Sequence, residues 1–209
     1  MGALSKLEAV NRILRSAGEF PVSTLNSTSN DTLLAEQVLD EQTLYMNMEG
    51  NLQNTTYSTI VPQSDGQFVL SNNLLHIETV GSDMGLIVST RGNNPTYLYD
   101  VANNTTFFTD SSGNPISGLY VQQVIRLDFE DLPTQAQFAV ADTSARMYQM
   151  QTVGDTNQDA ILGQQQMLSD ARARQADARQ RKANFLWGRN VNPMNARTNL
   201  YGGNPRYGY

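Results

Sequence analysis

The residues best placed by type to do chemistry are carboxylates. Asp128, Glu130 and Asp131 stand together in Leu127-Asp128-Phe129-Glu130-Asp131-Leu132, and two such groups at the right separation could hydrolyse a glycosidic bond, one protonating the leaving oxygen. The same residues, at the end of a strand and the start of a helix, also place negative charge beside a helix N-terminus, which requires no further geometry. His76 is the single histidine and cysteine is absent, so a zinc site would have to be completed by carboxylates. Asp155-Thr156-Asn157-Gln158-Asp159 opens like a calcium loop, but Ala160 replaces the glycine of the sharp turn and Gln166 the bidentate glutamate. A helix cap accounts for that segment. No nucleophile elbow, phosphate loop, H-E-x-x-H or dinucleotide fingerprint occurs. No catalytic, cofactor-binding or metal-binding residue is assigned on these grounds. An envelope carbohydrate hydrolase using Asp128 and Glu130 is the alternative reading.

A second set of residues suits binding. The end of the chain is rich in Asn, Gly, Pro, Arg and Tyr, and it cannot form a core. Trp187, Tyr201 and Tyr207 could serve there as aromatic anchors, with Arg189, Arg197 and Arg206 as polar ones, all residue types favoured at interfaces. Residues 1–171 carry 6 Lys/Arg against 19 Asp/Glu, a net −13, whereas residues 172–209 carry 8 against 1, a net +7. The body is acidic and the end basic. An overall charge of −6 disfavours nucleic acid as the partner of that end.

The elements that must position these residues follow from periodicity. Leu4, Leu7, Val10, Ile13, Leu14 and Ala17 form one apolar stripe and predict a helix, which Gly18 ends in the left-handed conformation and Pro21 cannot continue. Asn30 or Asp31 offers the N-cap of a second helix, with Leu34, Val38 and Leu44 facing inward. Short β-prone runs follow at residues 58–61, 68–70, 74–80, 86–90, 96–101, 105–109 and 119–129, separated by Gly, Asn and Pro turns. Leu132-Pro133 opens a third helix, with Phe138, Ala141, Ala145 and Tyr148 inward. A fourth begins at Asp155 or Thr156 and reaches Trp187, about 45 Å at the usual rise. Ile161, Leu162, Met167 and Leu168 are its candidates for burial. Beyond them come mainly alanines among Gln and Arg, so a lone helix of this kind gains little unless it packs on another subunit.

The fold class expected is α+β: a helical bundle from the N- and C-terminal helices, an inserted antiparallel β region and an extended C-terminal tail. The boundaries are a helical hairpin at 1–52, the β insertion at 53–131, helices at 132–187 that pack with 1–52, and a tail at 188–209. At 209 residues with 39% hydrophobic content the chain can bury a core. The charges within residues 4–17 break any secretory signal, and no run is long enough to span a bilayer, so a soluble, cytoplasmically made protein is expected.

Two segments resemble a known family. Val10-Asn11-Arg12-Ile13-Leu14-Arg15-Ser16-Ala17-Gly18-Glu19-Phe20-Pro21-Val22-Ser23-Thr24-Leu25 and Val124-Ile125-Arg126-Leu127-Asp128-Phe129-Glu130-Asp131-Leu132-Pro133 look like segments of tail tubular protein A, the adaptor-ring family of short-tailed bacteriophages. With the element order, the resemblance extends over residues 4–187. It departs at Leu44-Tyr45-Met46-Asn47-Met48, where the family's tryptophan is missing. The resemblance implies a structural virion protein and not an enzyme: a homo-oligomeric, dodecameric ring beneath the portal protein, joined to the tail nozzle protein. It further implies tail fibre attachment near the outer edge and DNA passing through the lumen without sequence-specific binding. The location implied is the virion tail, after assembly in the host cytoplasm, and no cofactor is implied.

Overall fold

The computed structural model describes residues 3–25 and 29–187, with side chains as far as Gln180. Helix α1 (Lys6–Ser16) is closed at both ends by its own sequence. The Ser5 hydroxyl accepts from the Glu8 amide, and the Glu8 carboxylate accepts from the Ser5 amide at 2.9 Å and hydroxyl at 2.8 Å. This reciprocal S-x-x-E cap satisfies amide donors that the helix cannot. Hydrogen bonds from the Ser5 amide, and then its hydroxyl, hold the Glu8 carboxyl below its usual range. At the other end Gly18 has φ +81°, its amide donates to the Arg15 carbonyl, and that of Glu19 donates to the Leu14 carbonyl, both at 3.1 Å. These are the paired bonds of a Schellman stop, as the glycine predicted.

Helix α2 (Asn30–Met48) has Ser29 as its N-cap, one or two positions before the expected cap at Asn30 or Asp31. Helix α3 (Thr134–Thr152) follows Pro133, and α4 (Thr156–Trp187) completes the set. Ala9, Val10, Ile13 and Leu14 of α1 meet Ala35 and Leu39 of α2 and Ala136, Val140, Ala141, Ala145 and Tyr148 of α3 in one buried cluster. The alanines let neighbouring backbones approach α3 closely, while each fully buried Leu or Ile contributes about 1.5–3 kcal/mol. Because α3 is covered on more than one side, its buried residues extend well beyond the single expected face. Phe138 is only half-buried, capped by the Arg12 guanidinium 5.6 Å from its ring centroid. On α2 Val38 is buried as expected, but Leu34 and Leu44 are half-buried, because the inward face centres on Thr32, Ala35, Leu39, Gln42, Thr43 and Asn47.

Two small antiparallel sheets complete an α+β fold. The first has the order β1-β6-β3, from β1 (Thr55–Ile60), β3 (Leu74–Thr79) and β6 (Leu119–Ile125). The second has the order β2-β5-β4, from β2 (Val69–Leu70), β4 (Val88–Arg91) and β5 (Thr96–Asp100), with Leu70 opposite Thr96 and Thr90 opposite Leu98. The turn between β4 and β5 requires Gly92, where φ is +89° and a Cβ would lie 2.7 Å from the Pro95 carbonyl oxygen. Residues 105–109, expected as a strand, form only single bridges to three different segments. Their backbone partners are scattered because Phe108 turns inward to meet Phe68 edge-on, with centroids 5.2 Å apart.

The chain forms two compact units. One contains the residues up to Thr56, Ser71–His76 and Gln123–Ala178, and the described part of the other contains Tyr57–Leu70, Ile77–Gln122 and residues 179–187. Within the first, β6 stops at Ile125, short of the expected end, because side-chain amides replace a partner strand. Buried Asn47 donates to the Leu127 carbonyl at 3.0 Å and accepts from the Leu127 amide at 3.3 Å. Buried Asn54 donates to the carbonyls of Asn47 at 2.7 Å and Ile125 at 3.1 Å. Replacing Asn47 by leucine removes both bonds to Leu127 and leaves part-buried backbone groups to be matched by water, so a loss of about 1–2 kcal/mol is expected in urea unfolding. Asn54→Leu should cost a similar amount, and the double variant less than the sum, since the two side chains share one network.

Candidate functional site

The carboxylates singled out in the sequence do not converge on a cleft. Asp128, Glu130 and Asp131 are exposed around the 3₁₀ turn Phe129–Asp131. Glu130 accepts from the backbone amide of Lys6 at 3.3 Å, so its charge sits at the N-terminus of α1 and favours that helix dipole. Glu130 therefore serves a helix start, though of α1 instead of α3. Their backbone is held by Gln137, whose side-chain amide donates to the Phe129 and Glu130 carbonyls at 3.2 Å and accepts from the Leu4 amide at 2.8 Å.

His76 is exposed on β3, and among the described residues no group of three or more His, Asp or Glu is placed to hold a metal ion. The Asp155 carboxylate accepts from the amides of Asn157 at 2.8 Å and Gln158 at 3.3 Å. That is the capping role expected for it. Trp187 ends α4, and its side chain lies outside the described residues, as do Arg189, Arg197, Tyr201, Arg206 and Tyr207.

What the described surface offers instead is unpartnered apolar side chains on rigid supports. The loop after α1 presents Phe20 at 92% exposure. It is well anchored: Asn11 exchanges two hydrogen bonds with the Val22 backbone, at 2.7 and 2.9 Å, and the Tyr148 hydroxyl donates to Glu19 at 2.8 Å. An aromatic held outward by a pinned loop loses little entropy when a partner covers it. Periodicity could not find Phe20, because it lies between Gly18 and Pro21, outside any helix or strand. The only available signal was an aromatic inside a turn.

Helix α4 is fastened at its N-terminal half by a fork. Arg146 on α3 donates from Nε to Asp159 Oδ1 at 2.6 Å, from Nη2 to Oδ2 at 3.0 Å, and from Nη1 to Gln166 at 3.1 Å. The hydrogen bond from Arg146 lowers the Asp159 carboxyl below its usual range. Further along, Asp177 accepts from the Leu52 amide at 3.0 Å. In this orientation only Leu162 of the four expected residues is buried. Ile161, Met167 and Leu168 are 54%, 73% and 59% exposed, because they lie about 100–140° around the helix from Leu162, outside the face that Leu162, Ser169 and Ala173 share. A cleft of about 330 Å³ between α1, α3 and α4 is lined by Arg12, Arg15, Asp142, Leu162 and Gln165. Arg12 is ion-paired there with Asp142.

These surfaces belong to a scaffold with apolar faces left for other molecules, and sequence comparison states which scaffold. The Tube family, described as tail tubular protein, matches residues 7–183. The chain belongs to the tail tubular protein family. It is also similar to "Tail tubular protein A" of Klebsiella phage KP34, with 29% identity over 155 residues, 74% of this chain and 77% of the relative. The chain is thus a structural component of a bacteriophage tail, and the two segments that suggested the family in the sequence lie within the matched region. In this tail tubular protein they build the α1 exit that carries Phe20 and the turn that caps α1.

Two outcomes follow from the Phe20 loop. Phe20→Ala removes a ring that is 92% exposed among the described residues, so unfolding free energy should change by less than about 0.5 kcal/mol. Beneath it, burial first and then the bond to Glu19 push the Tyr148 hydroxyl's pKa above its ordinary 10.0. As pH rises past that ordinary value the unfolded chain releases this proton and the folded chain keeps it, so stability falls. Urea midpoints across that range should show a steep alkaline loss that is shallower in Tyr148→Phe. At neutral pH the variant should lose about 1 kcal/mol with the hydrogen bond.

Proposed function

We propose that this tail protein is the adaptor subunit: a dodecameric ring that joins the portal protein to the tail nozzle protein, with DNA passing through its centre. The observation that carries this reading is the two-sided character of α4. One side is seated in its own subunit through Leu162 and the Arg146 fork, while Ile161, Met167 and Leu168 stand uncovered on the other. A ring uses such an arrangement well, since each subunit must offer one face to the neighbour before it and a different face to the neighbour after it. The net −13 over residues 1–171 favours a lumen that repels phosphate and lets DNA slide without sequence-specific contact.

In this reading the helical parts, 1–52 and 132–187, make the ring, and the β region at 53–131 supplies the fibre attachment near the outer edge. The tail at 188–209 docks on acidic surface of a neighbour or the portal through Trp187, Tyr201 and Tyr207, with Arg189, Arg197 and Arg206 setting register. Assembly takes place in the host cytoplasm. The uncovered apolar groups favour a structural over a hydrolytic role, and Glu130 is engaged at the start of α1.

Electron micrographs of the purified protein mixed with portal should show closed rings seated on the portal, and a protein that hydrolyses polysaccharide without forming rings would overturn the reading. Truncation after Gly188 should leave the melting temperature unchanged and weaken portal binding. Loss of the arginines should matter less at high salt than loss of the aromatics, because exposed ion pairs contribute only about 0–1 kcal/mol each and are screened.

A further inference from the structure

Two exposed helix faces of the helical unit complement each other in both apolar character and charge. On α2, Leu33, Gln37, Glu41 and Tyr45 follow at four-residue intervals, with Met48 beside them, and all five are exposed. The Tyr45 hydroxyl donates to Glu41 at 3.2 Å, holding the carboxylate one turn before the ring. On α4, Ile161, Gln165, Leu168, Arg172 and Gln175 follow at alternating intervals of four and three, and all are exposed. The order of the groups decides the direction of pairing. Reading towards the C-terminus, α4 passes from apolar Leu168 to cationic Arg172; reading towards the N-terminus, α2 passes from aromatic Tyr45 to anionic Glu41. Each step is four residues, about 6 Å along a helix.

We infer that α2 of one copy receives α4 of the next copy in antiparallel fashion, with Leu168 against Tyr45 and Arg172 against Glu41. The inference rests on the adaptor-ring reading and names the contact that would build it. The occupant of both faces is a second copy of this chain, because a cationic turn following an apolar one on α4 meets its match in the acidic α2 face. The contact is heterologous: each copy that uses its α2 face still presents α4, so addition continues until the ring closes. Affinity comes from Ile161, Leu168, Tyr45 and Met48, which leave water together, while the charge pair selects register and direction.

The test uses the full chain. Glu41→Arg and Arg172→Glu each place like charges together and should raise the concentration at which oligomers dissociate by about tenfold or more, and the double reversal should restore assembly. At concentrations where the native chain is monomeric, melting temperatures should not move, since both side chains are exposed. The native chain has no cysteine, so a combined Tyr45→Cys and Leu168→Cys variant, treated with a short bismaleimide, should give a ladder of covalent multimers. Neither single variant should. Covalent dimers from Leu168→Cys alone would indicate an α4–α4 two-fold contact and overturn the inference. Oligomers indifferent to the charge reversals would also overturn it, while rings seen with portal would leave the adaptor reading standing. A chain that stays monomeric at every concentration, yet forms rings on portal, would overturn the self-assembling contact alone. If no ring forms on portal either, the adaptor reading fails with it.

Discussion

The junction between α2 and the end of β6 depends on Asn47. Its carboxamide reads both backbone groups of Leu127, and its own carbonyl is held by Asn54, whose amide also reaches Ile125. The segment leaving α2 and the segment entering from β6 are thereby fixed to one another, although far apart in sequence. The β1–β6 pairing ends before this point, so side-chain amides carry the connection onward. Such groups are costly when left unmatched, so the network holds the chain to one geometry as much as it stabilises it.

That constraint sets the terms for the rest of the helical unit. With α2 and the turn at Phe129–Asp131 placed, Gln137 can reach the carbonyls of that turn and the amide of Leu4 together. Helix α3 then packs through alanines, and its buried polar residues, Gln137, Asp142, Ser144 and Gln149, each answer a nearby backbone or ionic partner. Ser144 donates to the Val140 carbonyl at 2.7 Å and Gln149 to that of Asp155 at 3.2 Å. The result is a core whose specificity owes much to hydrogen bonds, consistent with a composition only 39% hydrophobic.

The sequence was readable where one residue type has one local meaning. Gly18 stopped α1, Asp155 capped α4, and four helices and most strands stood near their expected places. The Ser5-x-x-Glu8 cap, at the start of the same apolar stripe, was equally readable. Legibility ended where burial depended on distant partners. Asn47 and Asn54 look like surface residues until Leu127 and Ile125 are beside them, and residues 105–109 look like a strand until Phe108 is drawn in by Phe68. On α4 the period was correct and the apolar residues genuine, yet Ile161, Met167 and Leu168 face away from the subunit. Periodicity counts apolar residues without saying whose core they enter. For the candidate surface, Phe20 was invisible to it altogether.

The guanidinium fork of Arg146 bears on more than attachment. Two parallel bonds to one carboxylate, with a third to Gln166, fix an angle as well as a distance. Gly163 lies under that fork, where a Cβ would come 3.4 Å from the guanidinium carbon, so the helix approaches with little room to roll. The fork therefore indexes α4 about its long axis, as a key indexes a shaft. A lysine there would keep the charge and lose the angle. The azimuth of Ile161 and Leu168, and with it the direction in which a neighbour could be met, is set by an arginine that touches neither residue.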